Sequence, residues 1–182
     1  YAKVLHIEDA GDQRVLCAVV PDYEQFVIDG FVLTSNCAFI SSENIDDDFA
    51  DPFVFLMDMS MLGVGVGGDT RGAGKVKLMT PKLGDAYVVP DSREGWVAMA
   101  KVCLNSFVGK GGWPEVLDFT EVRPKGERIR GFGGTASGPG PLAKMVKNFA
   151  RTLVPDNVGV EFEETFNEDT GEISHLRVEP GE

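Results

Sequence analysis

The sequence is poor in basic residues, with 17 lysines and arginines against 29 aspartates and glutamates and a net charge of −12 over 182 residues. Surfaces that bind nucleic acid or anionic membranes need a basic patch, so neither kind of partner is expected. No apolar run reaches the roughly 20 residues that a membrane-spanning helix needs. No secretory signal pattern opens the sequence, and a cytoplasmic location is therefore expected.

Cysteine and histidine are also scarce. The three cysteines, Cys17, Cys37 and Cys103, show no Cys-x-x-Cys spacing, so no disulfide framework is expected and a reducing compartment is the default. His6 and His175 are the two histidines. A structural zinc site needs several Cys or His ligands and a Ser-His-Asp triad needs a suitably placed His. With so few of these residues, no metal site is predicted.

Acidic charge is distributed unevenly along the chain. Residues 1–36 contain two basic and six acidic side chains, and residues 155–182 contain one basic and nine acidic side chains. The part between them is neutral, with 14 of each sign. Such contrasts indicate a mosaic chain. We predict boundaries after residues 36 and 154, and the last part is predicted to be an acidic β-hairpin of unassigned role.

Apolar spacing predicts three helices, over 49–62, 92–108 and 142–153. Asp48 or Asp51 is expected to cap the first helix, and Asp91 or Ser92 the second. Runs of β-branched and aromatic residues predict strands, with Asp-Gly as a hairpin turn. These strands are expected over 2–7, 14–20, 26–34, 37–40, 116–122 and 158–178, the last range being a hairpin.

The segments VLCAVVP, FVIDGFVL and Ser35-Asn36-Cys37 follow one another in the first part of the chain. In this order they resemble the C-terminal end of an intein, although Glu24 and Ser35 stand where histidines are common. Asn36 would attack its own backbone carbonyl and cleave the bond before Cys37, whose thiolate can accept an acyl group. The resemblance implies an intein N-half as a partner. An ordinary β-hairpin that leads into Cys37 is the alternative.

From Cys37 onward, three stretches are distinctive: NCAFISSENIDDDFADPFVFLMDMSMLGVGVGGDTRGAG, VPDSREGWVAMA and EVRPKGERIRGFGGTASGPGPL. They resemble adenosylcobalamin-dependent ribonucleotide reductases of the monomeric, triphosphate-reductase-like branch, over about residues 37–150. The resemblance implies an α/β fold, namely part of a ten-stranded barrel with surrounding helices, preceded by the β-hairpin remnant of an intein. It also implies adenosylcobalamin in the full-length enzyme, a ribonucleotide substrate, a dNTP effector, a thioredoxin-like reductant and the remainder of the reductase chain.

Two groups of residues match the catalytic region of this family. Cys37 matches a reducing cysteine that faces the ribose 2′-position and ends in a disulfide with a second cysteine, because a thiol pair supplies two electrons and two protons. A buried structural cysteine is the alternative. Gly63, Gly65 and Gly67 match a glycine-rich turn near the substrate, where side chains would block close approach. A plain helix stop is the other explanation for these glycines.

Basic side chains precede the glycine-rich stretch 131–140. Cationic groups beside glycine-rich backbone can hold a phosphate, and a solvated charge run is the alternative. The resemblance places this region and residues 91–96 near the effector site. The candidate effector-binding residues are Asp91, Arg93, Arg128 and Arg130.

The favoured prediction is thus a fragment of a ribonucleotide reductase, inactive by itself, whose parent enzyme makes deoxyribonucleotides by thiyl-radical chemistry. One alternative is the C-half of a split intein acting in protein splicing, with the rest of the chain as passenger. Another is a nucleotide-binding regulatory module without chemistry. Whether the substrate is a diphosphate or a triphosphate is left open by the sequence.

Overall fold

A computed structural model describes residues 37–129, 134–154 and 159–178 in full, and residues 25–28, 32–35 and 179–180 by their backbone. Ten strands and three helices are assigned in this part of the chain. The strands are β1 (Gln25–Ile28), β2 (Val32–Ser35), β3 (Cys37–Ile40), β4 (Gly65–Gly68), β5 (Leu83–Gly84), β6 (Tyr87–Val88), β7 (Trp113–Pro114), β8 (Val116–Asp118), β9 (Val160–Phe166) and β10 (Ile173–Pro180). The helices are α1 (Asp51–Met61), α2 (Arg93–Ser106) and α3 (Gly140–Leu153).

Several sequence predictions fall outside the described residues. They concern the strands over 2–7 and 14–20, His6, Cys17, the turn at Asp29–Gly30, Asn36 and Arg130. Strands β1 and β2 pair antiparallel, with Gln25 opposite Ser35 and Ile28 opposite Val32. This pairing agrees with the predicted hairpin, but an intein end and an ordinary hairpin share it. The intein assignment of residues 1–36 therefore stays a prediction.

Strands β3 and β4 form a parallel pair in which Cys37 lies opposite Gly65 and Ile40 opposite Gly68. Parallel neighbours need a crossover connection, and α1 provides it. Pro52 in the first turn of α1 has the fixed φ that favours a helix start. The helix is followed by Gly63 at a φ of +77°, a conformation that glycine adopts without strain.

Two local predictions for this region are wrong. Ala50 occupies the N-cap position of α1, and no side chain caps the helix; Asp48 instead accepts a hydrogen bond from the Ala50 N–H at 3.1 Å. The stretch predicted as a glycine-rich turn is a turn only at Gly63, because residues 65–68 form β4. The absence of side chains made this segment look like a loop, but its backbone pairs with a strand distant in sequence.

Helices α2 and α3 confirm the two amphipathic patterns. The Ser92 hydroxyl accepts a hydrogen bond from the Gly95 N–H at 3.0 Å, so Ser92 is the N-cap of α2. The two helices pack on a four-stranded sheet of order β6-β8-β10-β9. The most deeply buried large side chains of this core include Val89, Met99, Cys103, Phe107, Trp113, Leu117, Phe119, Val146, Leu176 and Val178. A second apolar cluster joins α1 to α2 through residues that include Phe49, Val54 and Leu104.

The predicted terminal hairpin is confirmed as β9 and β10, which pair antiparallel. Strand β10 also pairs with β8, where Leu176 lies opposite Leu117. Leu176 is completely buried, so residues 159–180 belong to the same sheet and core as β6 and β8. Strand β9 forms the outer edge, and its exposed Glu161 and Glu163 place charge where an edge strand would otherwise pair with another chain.

The strands of the described residues form four separate sheets of two, four, two and two strands. The mixed α/β class is therefore correct, whereas no closed barrel is present in this part of the chain. None of the helices in the described segments is both long and apolar enough to cross a membrane.

The burial of Leu176 generates a stability prediction. Replacing Leu176 with Ala should lower the free energy of unfolding by about 2–5 kcal/mol, because it leaves a cavity between β10 and β8. Phe166→Ala is the matched control, since this ring on the same hairpin is 54% exposed. Urea unfolding followed by circular dichroism measures both. Equal, small effects of the two substitutions would show that the hairpin is not part of the core.

Candidate functional site

Cys37 is the first residue of β3, and its side chain is exposed. Phe39 lies on the same face of the strand and is 66% exposed. The opposite residues on β4 are glycines. A Cβ atom built at Gly65 would lie 3.5 Å from the Cys37 Sγ, and one at Gly67 would lie 3.6 Å from a ring carbon of Phe39. The thiol therefore stands beside a strip of bare backbone.

We call the face formed by Cys37, Phe39, Gly65 and Gly67 the thiol shelf. Because two of its four residues have no side chain, a flat polar molecule can approach the backbone beside the sulfur. Gly63 differs from the other two glycines, since a Cβ at that position would meet nothing within 4 Å. Glycine is favoured at position 63 because the turn after α1 has a positive φ there.

Asp69 follows β4 directly and ties it to the end of β3. Its carboxylate accepts hydrogen bonds from the Ser41 hydroxyl at 2.8 Å and from the Ser42 N–H and hydroxyl, each at 2.9 Å. The Ser42 N–H, together with the Ser41 hydroxyl and the Arg71 N–H, holds the pKa of this carboxyl well below its usual range. Sequence reasoning missed Asp69, because its partners lie 27 and 28 positions away.

The structure places the predicted effector residues in different surroundings. Asp91 pairs with Arg123, whose Nε lies 2.7 Å from the Asp91 Oδ2. Arg93 pairs with Asp58 and also with Glu94, at 2.7 Å. Both arginines are thus held by carboxylates of the chain itself.

A cavity of about 360 Å³ opens beside the first turn of α2. Its lining includes Arg93, Trp96, Arg123 and Thr135, so the structure brings the basic segment and residues 91–96 together. The Trp96 Nε1 and the Asp91 Oδ1 are buried and have no hydrogen-bond partner within the described part of the chain. Arg128 is exposed and is not among the residues that line this cavity.

Cys103 and His175 are held by contacts with the core and with a neighbouring strand. Cys103 is fully buried in the core, and burial raises the pKa of its thiol to about 12. His175 lies on β10 with its side chain 40% exposed, and its Nε2 is 3.7 Å from the Asp118 Oδ1.

Residues 69–153 match the family model described as the insertion domain of B12-dependent ribonucleotide reductase. The adenosylcobalamin-dependent ribonucleoside-triphosphate reductase of Euglena gracilis is 42% identical over 123 residues, which cover 66% of this chain and 17% of that protein. The enzyme of the same name from Lacticaseibacillus paracasei is 51% identical over 73 residues, covering 38% and 10%. The chain spans about a sixth or less of these curated relatives.

A solved structure of a B12-dependent, class II ribonucleotide reductase is also similar to the chain. The two are 27% identical, with a TM-score of 0.46, and the match covers 62% of this chain and 23% of that one.

The different surroundings of two cysteines generate a labelling prediction. The test uses the folded Cys17→Ser variant of the chain and iodoacetamide at pH 8. Cys37 should be modified at least about 100-fold faster than Cys103, because the Cys103 thiol is buried and scarcely ionised. Peptide mass spectrometry over time measures both rates. In 8 M urea the two rates should converge, and equal rates in the folded chain would contradict the described burial.

Proposed function

We propose that this chain, a fragment of a B12-dependent ribonucleotide reductase, comes from an enzyme that converts ribonucleoside triphosphates to deoxyribonucleoside triphosphates. The observation that carries the proposal is the position of the exposed Cys37 Sγ beside Gly65, where a Cβ atom would lie 3.5 Å from the sulfur. The relatives whose names specify a ribonucleoside-triphosphate reductase support the choice of the triphosphate.

In this proposal Cys37 is one of two reducing thiols. The substrate's 2′-hydroxyl takes up a proton and leaves as water, and a hydrogen replaces it at C2′. Two thiols supply two electrons and two protons and become a disulfide, so the reaction balances. Cys103 cannot be the second thiol, because its sulfur is enclosed in the core between α2 and the sheet. Cys17 belongs to the predicted intein segment, so the second thiol would come from the remainder of the reductase, and a thioredoxin-like dithiol would restore both.

The thiol shelf suits this role for a physical reason. A ribose must bring its 2′-carbon next to the sulfur, and a side chain at position 65 would lie in van der Waals contact with the same atom. Phe39 offers an apolar surface next to the shelf. Glycine at positions 65 and 67 therefore leaves the space that a sugar would occupy.

Adenosylcobalamin is the cofactor of this family and supplies the radical that starts the reaction. The described residues do not fit it. The cavity beside α2, of about 360 Å³, and the cavity lined by Lys125, Lys147 and Glu172, of about 610 Å³, both lie within the range for drug-sized ligands, and a corrin is larger than such ligands. The cofactor would be held by the remainder of the protein.

The cavity beside α2 is the proposed effector site for a deoxyribonucleoside triphosphate. Arg93 and Arg123 supply guanidinium groups that suit phosphate. The Trp96 indole offers both an aromatic surface and an unused N–H. An entering phosphate would compete with Asp58 and Asp91 for the two arginines, so binding would exchange internal ion pairs for contacts with the ligand.

Replacing Cys37 with Ser in the full-length protein should abolish deoxyribonucleotide formation, by about 10³-fold or more, because a hydroxyl cannot give up electrons to form a disulfide. Product is measured by chromatography with a dithiol reductant present. Substrate binding, measured by equilibrium dialysis, should change less than about threefold. Cys103→Ala is the matched control and should retain activity. Full activity of the Cys37→Ser enzyme would refute the proposed role.

The effector proposal has a separate test on the chain itself. Arg123→Gln should weaken dATP binding about tenfold in isothermal titration calorimetry, because one phosphate-binding cation is lost. Lys144→Gln removes an exposed cation on α3 and is the control, with an expected change below about twofold. Equal loss in both variants would indicate only a general charge effect and would contradict a specific site beside α2.

A further inference from the structure

The register of β3 and β4 is specified weakly by the strands themselves. Strand β4 reads Gly-Val-Gly-Gly, and glycine-rich strands are prone to slippage because few side chains distinguish one pairing from the next. A shift of β4 by one residue would exchange the two faces of the strand. Val66 would then stand where Gly65 now lies, and its side chain would cover the Cys37 thiol.

Asp69 occupies the position after the last paired residue of β4. Ile40 lies opposite Gly68, so the same register continued by one residue places Asp69 opposite Ser41. The carboxylate binds the Ser41 hydroxyl through Oδ2 and the Ser42 N–H and hydroxyl through Oδ1. These three bonds form only in this register, because a one-residue shift would move Asp69 by about 3.3 Å along the strand.

A second contact acts in the same place. The Gly72 N–H donates a hydrogen bond to the Ser42 hydroxyl at 2.9 Å. A Cβ at Gly72 would lie 2.4 Å from the Ser42 carbonyl oxygen, so the backbone after β4 is pressed directly against Ser42. The loop that starts with Asp69 therefore contacts the residues after β3 through Asp69 and through Gly72.

We propose that Asp69 is a positioning residue whose carboxylate locks the register of β3 and β4 and thereby keeps Gly65, rather than Val66, beside the Cys37 thiol. The importance of this for catalysis rests on the proposed function. The register itself is a property of the chain that is measurable without activity.

The donors around Asp69 determine which replacements of this residue should keep the register. One oxygen of Asp69 meets two donor groups of Ser42 and the Arg71 N–H at 3.2 Å. Asparagine can keep its carbonyl oxygen there and turn its amide toward the Ser41 hydroxyl, which can also accept. Alanine removes all of these bonds. Asp69→Asn should therefore preserve the register largely, and Asp69→Ala should not.

Disulfide trapping reads the register directly. In the whole chain with Cys17→Ser, either Gly65→Cys or Val66→Cys is added, and oxidised glutathione takes up the two electrons as the protein disulfide forms. The present register should give a 37–65 disulfide and very little 37–66, because residue 66 faces the other way. Mass spectrometry of peptides gives the ratio of the two yields.

With Asp69→Ala the ratio of 37–65 to 37–66 yields should fall at least about tenfold, and with Asp69→Asn it should stay within about threefold. Asp46→Ala removes an exposed carboxylate nearby and is the control, with no expected change. An unchanged ratio in folded Asp69→Ala protein would overturn the proposal.

Ser41→Ala removes one of the three bonds to the Asp69 carboxylate, together with the bond that the Ser41 hydroxyl accepts from the Glu43 N–H, and it decides the matter if Asp69→Ala does not fold. It should lower the ratio measurably, and an unchanged ratio would likewise overturn the register lock. Failure of the proposed reductase function would appear instead in the activity of the Cys37→Ser enzyme. The trapping result does not depend on that activity, so the two failures are distinguishable.

Discussion

The pairing of a thiol-bearing strand with a nearly side-chain-free strand is the constraint on which the proposed chemistry depends. Cys37 is accessible because β3 faces glycines at positions 65 and 67. The same absence of side chains deprives the pair of the contacts that usually fix a register. The register must therefore be fixed by contacts outside the two strands. The hydrogen bonds of Asp69 with Ser41 and Ser42 provide such contacts at the end of the pair.

The rest of the described chain holds α1, and with it the crossover between β3 and β4, in place. An apolar cluster joins α1 to α2. Lys101 on α2 reaches Asp51 at 2.7 Å and Asp48 at 2.9 Å, which fixes the start of α1. Helices α2 and α3 in turn pack on the four-stranded sheet. Helices α2 and α3 and the sheet thus support α1 and, through it, the shelf, and a separate cavity lies beside α2.

Local sequence patterns predicted where helices and strands occur better than they predicted which strands pair with each other. The spacing of apolar residues in α2 and α3, the Ser92 cap and the terminal hairpin are short-range properties, and sequence was sufficient for them. The glycines of β4 suggested a turn, because their strand character comes only from pairing with β3. Likewise, nothing in the sequence near β10 indicates that it pairs with β8. Cys37 and its glycines were found through family resemblance. The partners of Asp69 and Arg123 lie about 30 positions away, so no local pattern indicates these pairings.

The most direct test of the central claim is a single-turnover experiment on the full-length, pre-reduced protein without external reductant. After one round with a ribonucleoside triphosphate, the oxidation state of every cysteine is determined by differential alkylation and mass spectrometry. The account predicts about one deoxyribonucleotide per chain, with Cys37 recovered in a disulfide with a cysteine from the remainder of the protein. Product formation that leaves Cys37 as a thiol would contradict it.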